Sequence, residues 1–89
     1  MIRTQLTIIN KLGLHARAAA KFVACTSSFS SEVRAGIDGE LVDAKSIMSV
    51  MMLAAGKGSV LQIEISGGDE EEALRALELL IANRFDEAE

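Results

Sequence analysis

His15 is the sole histidine of this 89-residue chain and lies in Gly13-Leu14-His15-Ala16-Arg17, where an alternating apolar segment gives way to an alanine-rich one. A helix that starts there leaves its first amide N–H groups without helical partners and presents the positive end of the backbone dipole. Such an end binds phosphate. Arg17 adds a permanent cation whose planar fork of donors matches phosphate oxygens. An imidazole nucleophile, free amides and a guanidinium therefore meet between His15 and Arg17. Together they could hold a phosphoryl group on a ring nitrogen. An isolated histidine is ordinarily a surface residue or a cap, so it is the neighbours that point to chemistry here.

Other chemistries fit this composition less well. One histidine and one cysteine cannot build a zinc site, and no metal or cofactor is expected. Cys25 has no partner for an internal disulfide and no second histidine to act as its base, so it is expected to be a small apolar residue on a helix. Gly56-Lys57-Gly58-Ser59 lacks the spacing of a nucleotide phosphate loop. The net charge of −4 is uneven: residues 1–60 carry seven basic and four acidic side chains, a balance of +3, and residues 61–89 carry two and nine, a balance of −7. Nucleic-acid binding would need a larger basic excess and stacking aromatics, and only Phe22, Phe29 and Phe85 are aromatic. Lys11, Arg17, Lys21, Lys45 and Lys57 instead suit a phosphorylated site and acidic protein partners. No apolar run is long enough to span a bilayer and the N-terminus alternates instead of forming a signal segment. A cytoplasmic protein without membrane insertion is expected.

The elements that must position His15 follow from periodicity. Residues 2–9 alternate, with Ile2, Leu6 and Ile8 on one face, as a half-buried strand does. Residues 16–28 form a helix whose small face is read as Ala16, Ala19, Ala20 and Val23. Val33, Ala35 and Ile37 mark a second strand, Asp38-Gly39 a tight turn, and Glu40 to Asp43 the return. Residues 47–54 read as a short helix and 60–66 as a strand with Leu61, Ile63 and Ile65 inward. After Gly67-Gly68, Asp69 and Glu72 have the spacing of a capping box for a last helix with a stripe of Leu74, Leu77, Leu80 and Ile81. The order is βαββαβα in one domain, residues 1–89, with nearly half its residues hydrophobic and able to form a core. Pattern alone permits a ferredoxin-like topology or another two-layer α+β arrangement.

The short helix is apolar nearly all round, and a small domain cannot bury every face of it. Val50 and Leu53 are assigned to the core, and Ile47, Met48 and Met51 to an exposed patch, where flexible methionines suit several partners. Ser46, just before it, is placed to cap its N-terminus.

Three segments, Asn10 to Arg17, Lys45 to Leu53 and Ala55 to Ser59, resemble in order the HPr family, the histidine phosphocarriers of the phosphoenolpyruvate-dependent phosphotransferase system. The resemblance covers nearly the whole chain. It implies a two-layer open-faced sandwich, with a four-stranded antiparallel sheet of order 1-4-2-3 and three helices on one face. It also implies a monomeric phosphocarrier, not an enzyme. Such a carrier accepts a phosphoryl group from phosphorylated enzyme I on Nδ1 of His15, with Arg17 stabilising the charge, and passes it to enzyme IIA-type acceptors. The patch of Ile47, Met48 and Met51 would meet those partners. Ser46 would be a regulatory phosphorylation site for an HPr kinase/phosphorylase. One departure stands out: Ala18 occupies the position where many of these proteins have proline. A looser first helical turn is expected from it, since proline pre-sets the helical φ. It leaves a sugar-type, nitrogen-type or regulatory branch open. The rival reading is a non-catalytic regulatory module acting through phosphorylated Ser46.

Overall fold

The computed structural model describes residues 1–89. Seven elements follow one another: β1 (Ile2–Thr7), α1 (Ala16–Ser27), β2 (Glu32–Ile37), β3 (Glu40–Asp43), α2 (Ile47–Met52), β4 (Val60–Ser66) and α3 (Glu70–Ala82), with a terminal turn at Arg84–Asp86. The strands form one antiparallel sheet in the order β1-β4-β2-β3, and three helices make the second layer of an α+β open-faced sandwich. No helix is long and apolar enough to cross a membrane.

Alternation decides which face of the sheet is covered. Leu61, Ile63 and Ile65 of β4 are fully buried, and Val33 and Ala35 of β2 join them. Ile63 pairs with Thr4 on one side and Ala35 on the other, which makes β4 one of the two inner strands and joins β1 to β2. Each of the leucine, isoleucine and valine side chains removed from water contributes about 1.5–3 kcal/mol. The Asp38-Gly39 turn has positive φ at both positions (57° and 85°), the geometry whose twist matches a two-residue hairpin.

Three local expectations are corrected. The buried face of α1 is Ala18, Ala19, Phe22 and Thr26, whereas Ala16 and Ala20 are exposed and Val23 is half-buried. Alanines fit on either side of a helix, so the large ring of Phe22 sets its rotation, and the Thr26 hydroxyl donates to the Ala44 carbonyl at 2.8 Å. The capping box at α3 does not form: Asp69 makes no side-chain cap, and its carboxylate turns to Ser30 and Ser31 instead. The helix at 47–54 ends at Met52, with Leu53 as its C-cap and Ala54 turning to a positive φ of 53°. In α3 the fully buried residues are Ala73, Leu77 and Ile81, with Leu74 and Leu80 partly buried against the core.

Candidate functional site

The site is assembled at the end of the sheet where β1 runs into α1. Ile8 continues the strand's bonding past Thr7, donating to Ser59 O at 2.9 Å and accepting from Gly58 N at 2.7 Å. The chain then turns through Gly13, whose φ is +66°. A Cβ at Gly13 would lie 2.3 Å from the Ala55 carbonyl oxygen, so the backbone there can be held only by glycine. Leu14, buried, donates its amide to the same carbonyl at 2.8 Å. Residues 10–17 and 55–59, distant in sequence, thus support one another and fix where His15 emerges.

His15 is the N-cap residue of α1, in extended conformation, with its ring about one-third exposed and no side-chain capping bond. Ala19 is the first residue whose amide reaches a helical carbonyl, that of His15 at 2.8 Å. The amides of Ala16, Arg17 and Ala18 are therefore left without helical acceptors. Arg17 is exposed and makes no ion pair. His15, Ala16 and Arg17 line one shallow concavity with Lys11, Leu12 and the tail residues Asp86 to Glu89. The structure thus places His15 and Arg17 together at the free start of α1.

The tail is the part that sequence reasoning missed. Positive φ at Arg84, Phe85 and Asp86 (55°, 53° and 62°) turns the chain back across α1, and the fully buried Phe85 anchors it. Lys21 clasps the turn, donating to the Phe85 carbonyl at 3.0 Å and pairing with Asp86 at 3.3 Å. Lys11 pairs with Glu89 at 3.4 Å. Glu87 then lies against the site: one carboxylate oxygen contacts Nε2 of His15 and the other accepts from Nδ2 of the buried Asn10 at 2.9 Å. Hydrogen bonding from Asn10, more than offsetting partial desolvation, and then the hydrogen bond and charge of His15 and the charge of Arg17 hold the Glu87 carboxyl below its ordinary range. The only available hint was compositional, an acidic tail on a chain whose site is basic.

Ser46 and the patch lie on α2, which packs against α1. The Ser46 hydroxyl accepts from the Ser49 amide at 3.3 Å, the cap expected of it. Val50 is buried, and Ile47, Met48 and Met51 are 40%, 67% and 39% exposed, on the side assigned to them. Met52, 80% exposed, extends the patch and was missed, although its position four residues after Met48 puts it on the same helix face. Leu12, 66% exposed beside His15, was also missed.

Known proteins resemble this chain along nearly its whole length. The family described as the PTS HPr component phosphorylation site matches residues 2–83. The phosphocarrier protein HPr of Cupriavidus necator is 57% identical over 89 residues, covering all of both chains. That of Pseudomonas aeruginosa is 60% identical over 86 residues, 96% of each chain. The crystal structure of HPr-C-His from Thermoanaerobacter tengcongensis superposes with a TM-score of 0.95 at 45% identity, covering all of both chains.

Proposed function

The chain belongs to the HPr family, the phosphocarriers of the phosphotransferase system, and from that premise we propose that its phosphoryl group is carried on His15. In this reading phosphorylated enzyme I is the donor and a histidine or cysteine of an enzyme IIA-type protein is the acceptor. The lone pair of Nδ1 attacks phosphorus, the donor's N–P bond breaks, and its electron pair stays with the donor's ring nitrogen. Arg17 and the spare amides of the first turn of α1 neutralise charge on the phosphoryl oxygens, while the partner supplies the remainder of the transition-state site. The observation that carries this reading is the meeting of the only histidine, the unbonded amides of Ala16 and Arg17 and an unpaired arginine at one open concavity.

The carrier works as a monomeric single domain in the cytoplasm, docking through the concavity and the patch of Ile47, Met48 and Met51. Phosphorylation of Ser46 by an HPr kinase/phosphorylase regulates it. The test is incubation with phosphoenolpyruvate and enzyme I followed by intact-mass measurement before and after acid. One acid-labile phosphate is expected on the natural protein and none on a folded His15→Ala variant. Undiminished labelling of that variant would rule His15 out.

A further inference from the structure

We propose that Glu87 is a positioning residue for His15, holding Nε2 as the protonated ring nitrogen so that Nδ1 presents its lone pair to the incoming phosphorus. The inference rests on His15 as the acceptor.

Three observations carry it. Glu87 contacts Nε2 and not Nδ1, and Nδ1 makes no hydrogen bond within the protein. A carboxylate only accepts, so in the neutral ring the nitrogen facing it carries the hydrogen and the other keeps its lone pair. Second, the carboxylate is itself held. Its other oxygen takes a hydrogen from Asn10, which is fully buried and donates its second hydrogen to the Gly13 carbonyl at 2.9 Å. Asn10 spends both donors this way while its own oxygen stays buried without a partner. Third, the Glu87 side chain is only 13% exposed, less than the ring it faces at 29%, so the carboxylate is more shielded from water than the imidazole whose concavity it helps to line.

The chemistry balances around this contact. As Nδ1 bonds to phosphorus, the ring keeps its Nε2 proton and becomes cationic. The phosphoryl group moves without loss of that proton, and the donor's ring nitrogen keeps the electron pair of the broken bond. Glu87 faces the positive charge as it develops, in the way a buried carboxylate orients and stabilises the histidine of a hydrolytic triad. The reverse transfer discharges the ring, and the same contact is restored.

The experiment compares the natural protein with Glu87→Gln and Glu87→Ala. Glutamine has one oxygen and one NH2 group, so it cannot accept from both Asn10 and an Nε2–H of His15 as the carboxylate does, and its NH2 facing the ring would favour the opposite tautomer. Ring nitrogens of 15N-histidine-labelled protein report the tautomer, and rapid-quench mixing with phosphorylated enzyme I reports the rate. In the natural protein the neutral ring is expected as the Nε2–H tautomer. In both variants the tautomers should mix and phosphoryl uptake should slow by roughly 10–100-fold, the usual cost of removing a supporting group, with the melting temperature little changed. An unchanged tautomer and rate in both variants would overturn the inference, as would faster uptake, which would make Glu87 an obstruction. Phosphate found on another residue of the natural protein would overturn the acceptor assignment itself. His15→Ala run in parallel separates that failure from the failure of the Glu87 role.

Discussion

Arg17, assigned to the proposed site, owes little to the fold. It is exposed, forms no ion pair, and shares its concavity with His15 and the tail. Its guanidinium still reaches electrostatically to Glu87, whose ionised form it favours. In the free protein the cation is thus partly answered by the tail carboxylate, and a phosphoryl group would give it a stronger partner. Arg17→Ala is expected to slow transfer by about one to three orders of magnitude, equivalent to ~1.4–4 kcal/mol, while the melting temperature barely moves. Transfer at the natural rate would remove Arg17 from the mechanism. Ala18 beside it is fully buried, and its amide is one of the three without a helical acceptor.

At the scale of elements, α2 is too short to be stable alone and too apolar to be covered. Val50 roots it in the core, the Ser46 hydroxyl ties its first turn, and Ile47, Met48, Met51 and Met52 are left facing water. A negative group at position 46 would meet the positive end of the helix, which tolerates it, and would also stand beside the patch a partner must cover. Ser46→Asp is therefore expected to slow phosphoryl uptake at sub-saturating enzyme I and to leave thermal stability equal or slightly higher. Equal rates would refute the gating role. A marked loss of stability would show instead that the hydroxyl is an indispensable cap.

For the molecule as a whole, the junction of Asp69 with the segment between α1 and β2 closes the fold on the side away from any periodic signal. The Asp69 carboxylate accepts from the amides of Ser30 and Ser31, each at 2.9 Å, and from both hydroxyls. Gly67 completes the packing, since a Cβ there would lie 2.4 Å from the Ser31 hydroxyl oxygen. The Ser31 hydroxyl first, and then the Ser30 amide, lower the Asp69 carboxyl from its ordinary 3.8 to about 2. A folded-state pKa below the unfolded one means stability that is present above 3.8 and lost as pH falls through about 2. Asp69→Asn should then be less stable at neutral pH, and its stability should fall less steeply across that acid window. Denaturant unfolding at a series of pH values measures both. A variant with the natural acid slope would show that other carboxylates carry it.

Much of this was legible in the chain because it repeats at short range. Alternation in Ile2 to Leu6 and Leu61 to Ile65 marks strands that the sheet then buries on the expected face. The Asp38-Gly39 turn, the Ser46 cap and the helix start at His15 depend on a few adjacent residues, so local chemistry settles them. Tertiary structure decided the rest. An alanine-rich helix has no strong apolar side, so only packing of Phe22 chose the face of α1. Asp69 had a local use as a cap and a distant one 38 residues away at Ser31, and the distant one offered several donors at once. Glu87 meets His15 across 72 residues. No periodicity encodes such a pair, because its two halves become neighbours only when the sheet has brought the ends of the chain together and Phe85 has turned the tail inward.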